Sequence, residues 1–135
     1  MVKDPAKLTT LSRKEVLEIL AEKKDLTDLD MRKANLVKID FSNCILVRAN
    51  FSYANLKDCN FSNCDMQNAS LWNAACEGAN FTNANLEDAD LDFAKLRGAV
   101  LYKANLRRAD LPTETITLDE IQRSVNNGTP VGYTK

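Results

Sequence analysis

From Leu26 to Leu111 an apolar residue returns at every fifth position without a slip, and every member of the series is Leu, Phe or Met except Cys76. Two residues before each centre runs a second series, small and mostly Ala, from Ala34 to Ala109. The position between the two is usually Asn or Asp, and the two positions after each centre are mostly polar or charged. A fixed internal period of this kind decides the architecture before any local propensity does. On an α-helix a step of five rotates by roughly 140°, so the large residues would spiral round every face. On a flat strand an odd step alternates faces, so half the centres would point to water. One solution remains: the chain turns after each pentapeptide, always in the same sense, and both apolar series point to a common axis. Four such sides make a square coil of roughly 20 residues, and stacked coils share backbone hydrogen bonds at about 4.8 Å spacing.

The motif small–Asn/Asp–Leu/Phe–polar–variable resembles that of the pentapeptide-repeat proteins. Ala49-Asn50-Phe51-Ser52-Tyr53 and Ala84-Asn85-Leu86-Glu87-Asp88 match it directly. The resemblance covers residues 29–113, seventeen consecutive units. It implies a mainly β fold, a right-handed quadrilateral β-helix of about four coils. Leu29, Ile39, Cys44, Cys59 and Cys64 replace the small Ala, and Ile45, Ser70, Ala75, Lys95 and Val100 replace the Asn or Asp. Stacking every fourth unit predicts four core columns. One of them, Phe41, Phe61, Phe81 and Leu101, contains a phenylalanine stack. Ala columns leave room for the large groups, and Asn or Asp before each centre suits a turn because its side chain can bond nearby backbone.

A solenoid needs covered ends. Ser12-Arg13-Lys14-Glu15 reads as a capping box with Leu11 and Val16 as staple, opening a helix over about 12–24 with Val16, Leu17, Ile19 and Leu20 on its apolar face. Thr117-Leu118-Asp119-Glu120 repeats the device with Ile116 and Ile121, opening a helix over about 118–126 with Leu118, Ile121 and Val125 on one face. Gly128 and Pro130 mark its stop, and Thr129 to Lys135 are expected to be loose. On this reading residues 1–135 form one domain and a complete folding unit. The N-terminal Met-Val-Lys-Asp-Pro has no apolar core for a signal peptide, and no apolar run approaches the ~20 residues of a membrane span, so the expected compartment is the cytoplasm.

Chemistry-bearing constellations are missing from the sequence. There is no His, and no Ser-His or Cys-His pair, Gly-rich phosphate loop or metal-ligand spacing. No catalytic, cofactor-binding or metal site is expected, and the chain is read as not an enzyme. Cys44, Cys59, Cys64 and Cys76 read as small inward hydrophobes. Cys44 and Cys64 are one coil apart, where a disulfide is geometrically conceivable. The sequons at Asn50, Asn60, Asn68, Asn80 and Asn127 read as turn chemistry.

The exposed feature that stands out is aromatic. Trp72 follows a centre and is expected to point outward, beside an outward column of Tyr53, Asn73 and Phe93. Such a patch is one a monomer usually hides, and Trp and Tyr are enriched at binding hot spots. Val37, Ile45 and Val47 also lean outward, where the N-terminal helix is placed to cover them. The function expected is a non-catalytic protein–protein interaction scaffold or adaptor presenting the walls of a rigid solenoid. Its partner would be an unidentified protein or a second copy, bound at a solenoid end or on the aromatic face, with neither nucleic acid nor membrane involved. The resemblance also implies an alternative, since some pentapeptide-repeat proteins are DNA mimics that bind type II topoisomerases and confer quinolone resistance. Mimicry needs a strongly negative face. Net charge here is −1, with 18 basic and 19 acidic residues, and a field so balanced steers little.

Overall fold

The computed structural model describes residues 10–133. The sequence readings made for Met1–Pro5 and for Thr134 and Lys135 lie outside the described residues. Between Asp25 and Asp110 the backbone winds with a period of twenty residues. Parallel bridges join residues twenty apart, from Asp25 with Ile45 and Asp30 with Asn50 to Asp90 with Asp110. Each five-residue side turns before an extended strand can develop, so each contributes one bridge. The bonds repeat with the sequence: the Met31 N–H donates to the Asn50 carbonyl at 2.8 Å, the Lys33 N–H to Ser52 at 3.0 Å, and the Asn50 N–H back to Leu29 at 2.9 Å. The ladder already takes in Asp25, one unit before the expected start at Leu29.

The corners follow one rule. The second residue after each centre from Leu26 to Leu106 has positive φ, between 56° and 66° at fifteen non-glycine positions and 73° and 78° at Gly78 and Gly98. The N–H three residues after a centre donates back to that centre's carbonyl, as from Ala54 to Phe51 at 2.9 Å, which closes a type II turn. The Asn, Asp or Ser before the centre braces the same corner. Its side-chain oxygen accepts the N–H two residues on, for example Ser52 to Asn50 Oδ1 at 3.0 Å and Ser62 to Asn60 Oδ1 at 2.9 Å. The sequon asparagines Asn50, Asn60, Asn80 and Asn127 all hold such bonds.

The centres and small residues fill the axis. Phe41, Phe61 and Phe81 are wholly buried. Their rings stack at 5.1 Å with planes within 1° and 6° of parallel, and Phe51 meets Phe41 and Phe61 edge-on. Such pairs contribute ~0.5–1.5 kcal/mol each beyond area burial. All four cysteines are buried and unpaired. The Cys59 and Cys64 thiols donate to the Leu36 and Phe41 carbonyls at 2.9 Å.

Helix α1 spans Arg13–Glu22 behind the expected capping box, and α2 spans Leu118–Asn127 behind the second. α1 ends two residues earlier than expected, because the Lys24 carbonyl is needed by the Ile45 N–H at 2.8 Å and the chain must already be extended there. Val16 and Ile19 are buried, whereas Leu17 stays exposed on the outer face of α1, as does Ile45, which α1 does not cover. In α2 Ile121 and Ser124 are buried, while Leu118 is 63% exposed, so the inner face of that helix is set one residue round from the expected one.

Both ends of the ladder receive substitutes for a missing coil. At the start, the Leu11 N–H donates to Asp30 O, and the Arg13 guanidinium donates to Asn35 O and Val37 O. At the finish, the Leu101 N–H donates to Ser124 Oγ at 2.9 Å and the Lys103 N–H to Val125 O at 3.0 Å. The segment after α2 is not loose as far as Tyr133. Val131 is fully buried, and it exchanges backbone bonds with Gly98 and Ala99 at 2.7 and 2.8 Å. The last coil still needed partners along that side, and this segment supplies them.

Candidate interaction surface

The three aromatic residues singled out in the sequence come together on one wall. Tyr53 and Phe93 occupy the positive-φ corners after Phe51 and Leu91, two coils apart, with φ of 62° and 61°. Trp72 lies on the coil between them, just before the positive-φ Asn73. Its ring meets Tyr53 at 5.1 Å and Phe93 at 5.7 Å, edge-to-face on both sides. Trp72 thus lies in the outer wall, flanked on both sides rather than standing free. It is half-buried, clasped by its neighbours, which are themselves 50% and 52% exposed. Asn73 is half-buried and accepts a bond from Lys95 Nζ at 3.3 Å.

Sequence reasoning missed a cleft that begins at this wall. It encloses about 500 Å³ between the last coils and the segment leading into α2. Asn73 and Phe93 open it, Leu96 and Ile116 make its apolar lining, and Glu77, Lys95, Arg97 and Glu120 supply its charge. Only the docking of residues after Leu111 creates it, so no repeat motif could announce it. A little further along, the carboxylates of Asp90, Asp92 and Asp110 converge within 4.8 Å. Partial desolvation, and then the charges of Asp90, Asp110 and Glu114, raise the Asp92 carboxyl above its usual range.

The four cysteines are withdrawn from solvent. Burial pushes the Cys59 thiol up to about 11 and the Cys64 thiol up to about 12, and raises those of Cys44 and Cys76 as well. A nucleophilic thiol needs the opposite shift. One corner column carries ion pairs from coil to coil: Arg48 pairs with Asp28 at 2.7 Å and Arg108 with Asp88 at 2.9 Å, each across twenty residues. Among the described residues no helix is long and apolar enough to cross a membrane.

A family model described as pentapeptide repeats (8 copies) matches residues 25–63, 59–98 and 76–112. The chain belongs to the pentapeptide-repeat family. Solved structures of the same fold resemble it. A pentapeptide repeat protein of the Arabidopsis thaliana thylakoid lumen is 32% identical over 59% of this chain and 55% of its own, with a TM-score of 0.59. HetL, a pentapeptide repeat protein involved in heterocyst differentiation regulation in Nostoc, is 26% identical over 75% of this chain and 44% of its own, with a TM-score of 0.54. Rfr23 of Cyanothece is 42% identical over 64% and 56%, with a TM-score of 0.45. The chain spans about half the length of these relatives. No curated protein gives a significant match. Pentapeptide-repeat proteins are in general non-catalytic β-helix solenoids.

Proposed function

We propose that this pentapeptide-repeat chain is a non-catalytic interaction module in the cytoplasm. It docks a protein partner on the Tyr53–Trp72–Phe93 wall, with α1 and α2 as end caps of a right-handed solenoid of about four coils. The observation that carries the reading is the placement of Tyr53 and Phe93. Both hold a backbone conformation that a bulky residue adopts only at a cost, and both leave half of the ring in water. A fold that needed only a corner would be better served there by Asn or Gly. Half-exposed aromatic groups braced by a third ring form a preorganised apolar surface, the kind on which binding energy concentrates. HetL's involvement in regulation is in keeping with a role in binding.

The test is affinity capture from the native host with wild-type chain against Trp72→Ala/Phe93→Ala. Loss of a partner captured by wild type is the expected result, and a partner list unchanged by the double substitution contradicts the reading. Light scattering on the same two proteins decides whether the partner is a second copy. In that case the wild-type mass is that of a dimer and the variant's that of a monomer.

A further inference from the structure

We propose that the cleft beside Phe93 binds the cationic side chain, Lys or Arg, of a partner protein, with its head group at Glu77 and its aliphatic stem along Phe93, Leu96 and Ile116. This rests on the aromatic wall being a docking surface, and it names what the partner presents there.

Glu77 carries the argument. On one other corner column, opposite charges twenty residues apart pair across the coils, as Arg48 does with Asp28 and Arg108 with Asp88. Glu77 and Arg97 stand in the same relation, opposite in sign and one coil apart, yet among the described residues they form no ion pair. Arg97 is drawn away by the docked C-terminal segment: its guanidinium faces the Gly132 carbonyl at 3.5 Å and lies over the Tyr133 ring at 5.7 Å. Glu77 Oε1 is left shielded from solvent without a hydrogen-bond partner among the described residues. A buried acceptor without a donor is a cost, and a turn of the Glu77 carboxylate into the cleft it lines, toward an incoming donor, relieves it.

The other charged groups of the cleft are already committed. Lys95 donates to Asn73, and Glu120 accepts from the Thr117 N–H and hydroxyl in the α2 capping box. The group with unmet demand is therefore an acceptor, and its complement is a donor. The lining decides between a bare cation and a side chain. Phe93, Leu96 and Ile116 present apolar surface, which water-solvated ions avoid but the methylene stems of Lys and Arg cover well. Phe93 adds a half-exposed ring face to which a cation is attracted. The cleft opens beside the Trp72–Phe93 contact, so a chain laid on the wall reaches it without a detour.

The experiment titrates the blocked tripeptide Ac-Gly-Arg-Gly-amide, and its Lys, Gln and Glu counterparts, into the ¹⁵N-labelled full chain and follows the amide shifts of Glu77, Phe93 and Leu96. Saturable shifts with the Arg and Lys peptides and none with Gln or Glu are expected. Glu77→Gln should weaken binding at least tenfold with the remaining spectrum unchanged. Ile116→Ser, on the far wall, provides a second variant and should weaken it several-fold. No saturable shift, equal response to the Gln peptide, or undiminished binding by Glu77→Gln would overturn the proposal. Tyr53→Ala, on the far side of Trp72 from the cleft, should leave peptide binding intact while weakening partner capture. A cleft that fails to bind with the wall still active therefore sinks this inference alone.

Discussion

Phe61 and Phe93 show how differently one residue type is used within this chain. Phe61 is wholly buried between the rings of Phe41 and Phe81, whereas Phe93 is half-exposed at a corner with φ of 61°. Truncating a buried phenylalanine costs ~3–5 kcal/mol. At Phe93, relief of a left-handed backbone conformation, worth ~1–2 kcal/mol, opposes loss of the Trp72 contact, worth ~0.5–1.5 kcal/mol. Urea denaturation should therefore find Phe61→Ala severely destabilised and Phe93→Asn within about 1 kcal/mol of wild type. A large loss at Phe93→Asn would make that ring structural. The buried thiols give a second residue-scale prediction. Their folded values, about 11 for Cys59 and about 12 for Cys64, exceed the ordinary thiol value of about 8.5. The folded chain therefore keeps protons that the unfolded chain releases. This contribution is complete below about pH 8.5 and falls away as pH rises toward 11–12. The urea midpoint should drop between pH 8 and pH 10, by less in Cys59→Ala/Cys64→Ala than in wild type. An equal drop in both would assign it to other groups.

At the scale of elements, the centre and Ala columns were legible because burial imposes residue type there, and a strict period cannot arise by accident over so long a run. The helix starts were legible for a related reason: Ser12 with Glu15 and Thr117 with Glu120 satisfy two orphan N–H groups each by local chemistry. The corner conformation was harder to read. Lys33, Arg48, Tyr53 and Phe93 all hold positive φ although nothing in their chemistry favours it, so the neighbouring coils impose it. The docked segment at Val131 was invisible because its partners, Gly98 and Ala99, are defined only once α2 has left part of the last coil uncovered. Ser124 is the clearest omission. It is the acceptor for Leu101 in the place of a missing carbonyl. Ser124→Ala would leave that buried N–H without an acceptor, at a cost of about 1–3 kcal/mol. An unfolding midpoint equal to wild type would mean that another group closes the ladder there.

For the whole molecule, stability follows from each coil having a neighbour on both sides, and the ends decide where opening begins. The middle coil is enclosed: the Phe61 N–H donates to Asn80, the Asn60 N–H to Ile39, and the Asn63 N–H to Thr82. The two ends differ. At the start the Arg13 guanidinium and the Leu11 N–H take the place of a lower coil. At the finish α2 and Val131 serve the sides around Gly98, Leu101 and Lys103. They do not reach the next side, where among the described residues the N–H groups of Leu106 and Arg108 have no acceptor and Leu106 is only partly buried. Opening should therefore start at that corner and run downward, although the same end carries a helix. Native-state hydrogen exchange should find the Leu106 and Arg108 amides fast, Leu101 and Lys103 intermediate, and Phe61 and Asn63 among the slowest in the chain. Slow exchange at Leu106 and Arg108 in the isolated monomer would mean that the cap extends over the whole end. Slow exchange that appears only as concentration rises would mean that a second molecule takes the place of the missing coil.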